Sequence, residues 1–349
     1  MKNSPTISVI MSAYNAEVFI QEAVDSVLNQ TFQDFEFIVF DDCSQDRTIK
    51  ILNSYEDSRI KLIANETNRG LTRNLITGMQ IARGQYVARM DADDICLPNR
   101  FKHQLDYFTQ HPEISVLGSA VTFFEGNDYE FIGYQPETHD EIKVTLLLEF
   151  TMLHPSIMMR KTDFDEHGLT YDAAFECSQD HDLWTRAIQK LRFANMHEPL
   201  LRMRNHSGKI GIQHKSQQEE LSNTIRLRQI NELQVRYTKA EIDAFNLASG
   251  MVNKFSAQQL NPLESIYLRI IQANKICNIY NHKILQEQIA TKYRGVCRHL
   301  LCKGDCIGMQ YWRSEIRKFD TVSYLGKIGL IYRSLACRKI LHVSKQFKS

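Results

Sequence analysis

Several signatures are missing from this 349-residue chain, and each absence narrows its possible roles. The formal net charge is only +1, so the chain lacks the positive field that a nucleic-acid partner calls for, and none is expected. The eight cysteines (43, 96, 177, 277, 297, 302, 306 and 337) include no CxxC pair. Cys297, His299, Cys302 and Cys306 lie close together but follow no zinc-site spacing. No apolar run is long enough to span a bilayer, and Met1-Lys-Asn-Ser-Pro5 leads into a strand pattern without a signal peptide. Together these features give the expectation of a cytoplasmic protein with free thiols. No GxGxxG follows the first strand and no P-loop occurs, so a glycine-rich cradle for phosphates is excluded.

What is present is a globular composition, 43% hydrophobic and 24% charged, in a chain long enough for one large or two ordinary domains. From Ile7 the pattern alternates. Ile7 to Met11 is a β-rich run; Ile20, Ala23, Val24, Val27 and Leu28 then fall on one helix face. Phe35 to Phe40 is nearly continuous apolar strand, followed by a capped helix with Ile49, Ile51 and Leu52. Ile60 to Ile63 is a strand, Leu71 to Ala82 a helix, and Tyr86 to Met90 another buried strand. Such β-α-β-α order predicts a mostly parallel, Rossmann-like sheet with helices on both faces and a ligand site beyond the carboxyl ends of the strands. Three of those ends are polar: Ser12-Ala-Tyr14-Asn15, Asp41-Asp42 and Asp91-Ala-Asp93-Asp94.

Asp91, Asp93 and Asp94 repel one another unless positive charge sits among them. Hard oxygens suit Mg2+ or Mn2+, which would hold a phosphorylated ligand without a glycine-rich loop; a solvated strand-to-helix turn before Pro98 fits the same residues. Further on, Met152 to Lys161 reads as a strand that begins at an X-Pro turn, and Ser178-Gln-Asp180-His-Asp182 as an acidic turn opening a helix. Glu198 to Gly208 reads as a strand with a basic end, Arg204 and His206 included. From residue 215 strand patterns fade and helical ones take over, dividing the chain into domains at 1–214 and 215–349. Residues 310–349 hold nine Lys/Arg against two acids, interleaved with apolar residues. That pattern fits a basic amphipathic helix on an anionic cytoplasmic membrane surface, or a bundle helix with a basic outer face.

Taken together the stretches Ser8-Val-Ile-Met-Ser-Ala-Tyr14-Asn15, Ser26-Val-Leu-Asn-Gln30-Thr31-Phe32, Asp41-Asp42-Cys-Ser44-Gln-Asp46, Asn68-Arg-Gly70-Leu71, Ala88-Arg-Met-Asp91-Ala-Asp93-Asp94 and Asp180-His-Asp182-Leu-Trp184 resemble the family 2 glycosyltransferases. The resemblance covers residues 5 to about 210 and is nearest to bacterial enzymes that build lipopolysaccharide, capsule or exopolysaccharide. It implies a GT-A fold and inverting, metal-dependent transfer from a nucleotide sugar, a UDP-sugar first, to a saccharide or lipid-linked acceptor. It further implies that Asp42 accepts from the uracil ring and that Ser12 and Tyr14 line the base pocket. Asp91 is placed near the ribose and the metal shell, and Asp93 ligates the metal. Asp180 is placed as the catalytic base, with Asp182 its rival, and Arg204 and His206 near the diphosphate and metal. Gln179 stands where the family often has Glu. His154 is expected in a packing or acceptor-side role. A nucleotidyltransferase would carry a glycine- and basic-rich loop where Ser12 to Glu17 has neither, and a non-catalytic nucleotide-sugar-binding scaffold would have no need of Asp93 and Asp180.

Overall fold

A computed structural model of the protein describes residues 4–126, 129–206, 215–250 and 252–322. The chain divides into two compact units: residues up to 142 with 150–225, and residues 143–149 with those from 226 onward.

Among the described residues, the first unit is built on a nine-stranded sheet. Its strands are β1 (Ile7–Ala13), β2 (Phe35–Asp41), β3 (Ile60–Ala64), β4 (Tyr86–Asp91), β5 (Ile95–Cys96), β6 (Val116–Glu125), β7 (Tyr129–Gly133), β8 (Met158–Arg160) and β9 (Phe193–Arg204). Their order in space is β3-β2-β1-β4-β8-β6-β9-β5, with β7 added on β6. The long ladders, β1 with β2 and β4, β2 with β3, and β6 with β9, are parallel. The alternating pattern therefore holds over β1 to β4, whereas β5 and β7 pair antiparallel with β9 and β6. The three-residue β8 follows a 3₁₀ turn at His154–Ser156 and pairs antiparallel with both β4 and β6.

One face of the sheet packs Val9, Met11, Phe37, Val39, Ala88 and Met90 against Ala23, Val24 and Val27 of helix α1 (Ile20–Leu28) and Phe101 and Phe108 of the helix Arg100–Gln110. Each such fully buried Val, Met or Phe side chain contributes roughly 1.5–3 kcal/mol. The opposite face takes the helix Leu71–Ile81 so closely that a Cβ on its Gly78 would stand 2.7 Å from Ile10 Cγ2. Strand periodicity then decides which strand-end groups share a side. Ser12 is the register partner of Asp91 on β4 and of Phe40 on β2.

At the opposite ends of the strands a buried polar knot ties the sheet together. Ser8 Oγ donates to Glu36 Oε1 at 2.7 Å and accepts from the Gly84 N–H at 2.8 Å. Arg83 donates to both oxygens of the same carboxylate. Burial pushes the Glu36 carboxyl up, but the bonds from Arg83 and Ser8 outweigh it and hold its pKa below the ordinary value.

The second unit is helical. Phe245 of the helix Lys239–Gly250, Ile266, Tyr267 and Ile270 of Leu260–Cys277, and Leu285, Ile289 and Tyr293 of His282–Cys302 form one core. Two 3₁₀ turns follow, Cys306–Trp312 and Glu315–Phe319, and bury Tyr311 and Ile316. The described part of the 310–349 segment is thus 3₁₀ turn rather than amphipathic α-helix, and 323–349 lies outside the described residues. No helix among the described residues is long and apolar enough to cross a membrane.

The knot at Gly84 has a direct test. An added Cβ would sit 2.4 Å from the Ser8 backbone nitrogen, so β1 and the 83–84 turn must separate. Gly84→Ala is expected to destabilise the protein by about 2–4 kcal/mol in denaturant melts; a melt unchanged from wild type would contradict the packing described.

Candidate active site at the strand ends

The polar ends of β1, β2 and β4 meet, and a chain of amides fixes them. Ser12 Oγ accepts from Asn74 Nδ2 at 2.9 Å, and Asn74 Oδ1 accepts from Asn65 Nδ2 at 2.8 Å. The same Asn65 nitrogen lies 2.8 Å from Asp42 Oδ1. Asp42 also accepts from the backbone N–H groups of Arg69 and Gly70, both at 2.9 Å. Gly70 stands at φ +82°, where a residue with a Cβ is strained, and that conformation presents its N–H to the carboxylate. Asp42 is buried, yet with three acceptor positions filled a carboxylate retains one more. Tyr14, two residues beyond Ser12, is 50% exposed, which leaves its ring open for stacking.

The acid turn follows β4. Asp91, Asp93 and Asp94 each offer an oxygen within 4.8 Å of the others, and the chain meets each of them with a donor. Asp91 is ion-paired with Arg89, its neighbour on the same side of β4. Asp93 Oδ2 lies 2.7 Å from His206 Nε2, and Asp94 Oδ1 accepts from the Arg204 N–H at 3.0 Å. Arg204 also donates from Nε to the Asp93 carbonyl at 3.0 Å and is paired with Glu22. Its guanidinium lies 4.6 Å from the centres of both the Phe19 and Phe124 rings. A diphosphate contact by Arg204 would compete with that pairing.

The segment after the acids is clamped from α1. Gln30, 1% exposed, donates to the Leu97 carbonyl at 2.7 Å and accepts from the Phe101 N–H at 3.1 Å. Ser26 Oγ accepts from the Cys96 N–H at 3.0 Å, and the Thr31 N–H donates to the Pro98 carbonyl at 2.8 Å. Below, the fully buried Arg100 donates to the carbonyls of Arg89 (2.9 Å) and Ile157 (3.1 Å), and to Gln104 Oε1.

Asp180 and Asp182 open the helix α7 (Gln179–Ala187), entered through Ser178 in the left-handed region at φ +65°. Ser178 Oγ is held by the Gln218 carbonyl at 3.1 Å and lies 3.0 Å from Ser222 Oγ. The two acids have different surroundings. Asp182 is buried and receives Arg186 Nε and Nη2 at 2.9 and 2.7 Å on one oxygen. Asp180 is half-buried, and the His181 N–H donates to its Oδ1 at 2.8 Å. Burial pushes its pKa up to about 6, against the pull of that bond and of Arg89 and with a push from Asp91. His154, buried, sits 2.7 Å from the Tyr171 hydroxyl and 6.0 Å, edge-on, from the Trp184 ring. Burial, with Arg89 nearby, holds it neutral, its pKa well below the ordinary value.

The chain matches the sequence profile of "Glycosyl transferase family 2" over residues 8–175. It is 32% identical over 241 residues to an uncharacterised glycosyltransferase of Haemophilus influenzae, covering 66% of this chain and 75% of that protein. The chain belongs to glycosyltransferase family 2. It is also 32% identical over 158 residues to the UDP-Glc:alpha-D-GlcNAc-diphosphoundecaprenol beta-1,3-glucosyltransferase WfgD of Escherichia coli, covering 43% of this chain and 62% of that enzyme. Among solved structures, S. aureus TarS 1-349 in complex with UDP-GlcNAc superposes with a TM-score of 0.56 at 18% identity, covering 88% of this chain and 92% of that one. That likeness is one of fold, GT-A.

As a glycosyltransferase of this family, the protein has a donor set that fits a divalent cation. Hard carboxylate oxygens converge at the acid turn, and the His206 nitrogen lies beside Asp93. No sequence signal marks Asn65, Asn74, Arg89 or Arg100, the side chains that hold these groups in place. Ser26, Gln30 and Thr31 were visible only as part of a motif, with no signal of what they bind. Cys297, His299, Cys302 and Cys306 do not converge on a metal-type cluster among the described residues.

The raised Asp180 pKa carries a stability consequence. Its folded value lies above the ordinary 3.8, so the native state holds the proton longer, and stability is lost as pH climbs from about 4 through 6. Asn cannot ionise. Asp180→Asn is therefore expected to raise stability at pH 7 by on the order of 1–3 kcal/mol and to match wild type below pH ~4. Equal melting temperatures at pH 7 would contradict the burial assigned to this carboxylate.

Proposed function

We propose that this glycosyltransferase moves a hexosyl group from a UDP-sugar to a saccharide or lipid-linked acceptor with inversion at the anomeric carbon, in assembly of a surface polysaccharide. What carries the proposal is the contrast between two acids of α7: Asp182 is committed to Arg186, while Asp180 takes no side-chain ion pair among the described residues and burial pushes its pKa up to about 6. The likeness to WfgD and to the UDP-GlcNAc complex of TarS supports a UDP-sugar and a lipid-linked acceptor.

In this reading the uracil ring stacks on Tyr14 and meets the remaining acceptor position of Asp42, with Ser12 lining the pocket. Asp91 lies toward the ribose and the edge of the metal shell. Asp93 would hold Mn2+ or Mg2+ with His206 and a share of Asp91; bound there, the cation supplies Lewis-acid stabilisation for a diphosphate leaving group. Asp180 takes the proton of the acceptor hydroxyl. The freed oxygen pair forms the new bond to the anomeric carbon, and the bond from that carbon to the diphosphate oxygen breaks with its electrons kept by UDP. One displacement inverts the centre. A carboxylate with a pKa near 6 is ionised at pH 7 and still basic enough to share that proton.

Residues 1–214 are assigned the transfer chemistry, and 215–349 an accessory role that includes docking at the inner face of the cytoplasmic membrane through the charge surplus of 310–349.

Two measurements test the reading. Asp180→Asn is expected to lower kcat by at least about a hundredfold while UDP affinity stays near wild type, and the wild-type acid limb of kcat/KM should fall near pH 6. Asp93→Ala should instead abolish the Mn2+-dependent part of UDP binding in titration calorimetry. Normal turnover by Asp180→Asn would remove it as the base.

A further inference from the structure

Ser12 and Asp42 are joined by two amides whose hydrogen bonds can run in only one direction. Asn74 is completely buried on the helix Leu71–Ile81, and Asn65 follows directly on β3. The direction is set at Asp42. Its Oδ1 takes the Arg69 N–H and its Oδ2 the Gly70 N–H, each at 2.9 Å. A backbone N–H can only donate, so the carboxylate accepts on both oxygens. Asn65 therefore turns its NH2 group to Oδ1, 2.8 Å away, and the second proton of that nitrogen goes to Asn74 at 2.8 Å. The Asn74 atom that receives it must be the carbonyl oxygen. Its amide nitrogen is left to face Ser12 Oγ at 2.9 Å, and donates to it. Polarity thus passes from the carboxylate to the hydroxyl with no choice at any link.

A hydroxyl that accepts from Asn74 keeps its own proton for another partner. Ser12 is half-buried at the end of β1, and among the described residues its O–H meets no acceptor. The two strand ends therefore differ in sign: Ser12 offers a free donor, Asp42 a free acceptor position.

We propose that Asn74, through Asn65, fixes the polarity of this pair and so makes it select uracil over cytosine; both amides are positioning residues. The proposal rests on the reading that Asp42 and Ser12 hold the base of the donor nucleotide. Uracil presents N3–H beside a carbonyl at C4, the complement of an acceptor beside a donor. Cytosine reverses both, with a bare N3 and an amine at C4. Against this pair it would set lone pair to lone pair and proton to proton. Without the Asn74 amide the Ser12 hydroxyl could turn either way, and the discrimination at C4 would be lost. A side chain that only filled the space between this helix and β1 would affect the two bases alike.

Titration calorimetry of the full chain with UDP and with CDP, both in excess Mn2+, gives the ratio of the two affinities. Wild type is expected to favour UDP by about a hundredfold or more. Asn74→Asp sets an acceptor where Ser12 now finds a donor, which draws the hydroxyl proton inward. The ratio should then fall by at least about tenfold. Ser12→Ala, costly for UDP in wild type, should cost nothing further in that background. Should Asn74→Asp not fold, Asn74→Ala takes its place, with the hydroxyl freed rather than reversed and the ratio falling by about threefold or more. A ratio that stays at the wild-type value while both affinities drop overturns the proposal, as does an equal cost of Ser12→Ala in both backgrounds. Asp42→Ala is measured alongside. Undiminished UDP affinity in that variant would sink the base pocket itself, whereas loss there with an unmoved Asn74 ratio sinks only the role of the amides.

Discussion

Three carboxylates crowded at the end of one strand are the constraint on which this structure turns. Asp91, Asp93 and Asp94 cannot share so small a space without compensation, and the compensation is partly local and partly from far along the chain. Arg89 arrives from the strand itself, while Arg204 and His206 come from the end of β9, more than a hundred residues on. The turn is therefore complete only when β9 has paired with β6 and Gln30, just past the end of α1, has clamped the segment. The same donors describe the site's chemistry. A nitrogen and several hard oxygens facing one another are compensated without a metal and are also a set that a divalent cation could share.

Asp180 and Asp182, two residues apart, have opposite surroundings. Both stand in the first turn of α7, where the helix dipole favours an acid. Asp182 receives a two-pronged guanidinium and becomes part of the packing. Among the described residues Asp180 receives a backbone N–H bond but no side-chain ion pair, and desolvation is the largest influence on its pKa.

Much of this was legible in the sequence, for physical reasons. Buried parallel strands are continuous apolar runs, so Phe35 to Phe40 and Tyr86 to Met90 announced themselves, and the polar residues at their ends marked Ser12, Asp42, Asp91 and Asp93 as neighbours in a site. The supporting side chains were not legible. Asn65, Asn74 and Gln30 act through single amides on partners fixed by the tertiary fold, a relation that leaves no period in the chain. Arg89 sits in an apolar run where a charge reads as an exception rather than as a contact. The three-residue β8 is too short to show alternation, so its antiparallel pairing could not be read. Over 310–322 the interleaved basic and apolar residues suggested a helix, whereas Tyr311 and Ile316 are drawn into the helical core through 3₁₀ turns.

The most direct test of the account is the anomalous diffraction signal of Mn2+ in crystals grown with UDP. The account requires a single strong peak within coordination distance of the Asp93 carboxylate, about 2.0–2.3 Å, with the diphosphate on its far side and Asp180 facing the sugar-binding space. A peak elsewhere, or a diphosphate bound with no density beside Asp93, would contradict it.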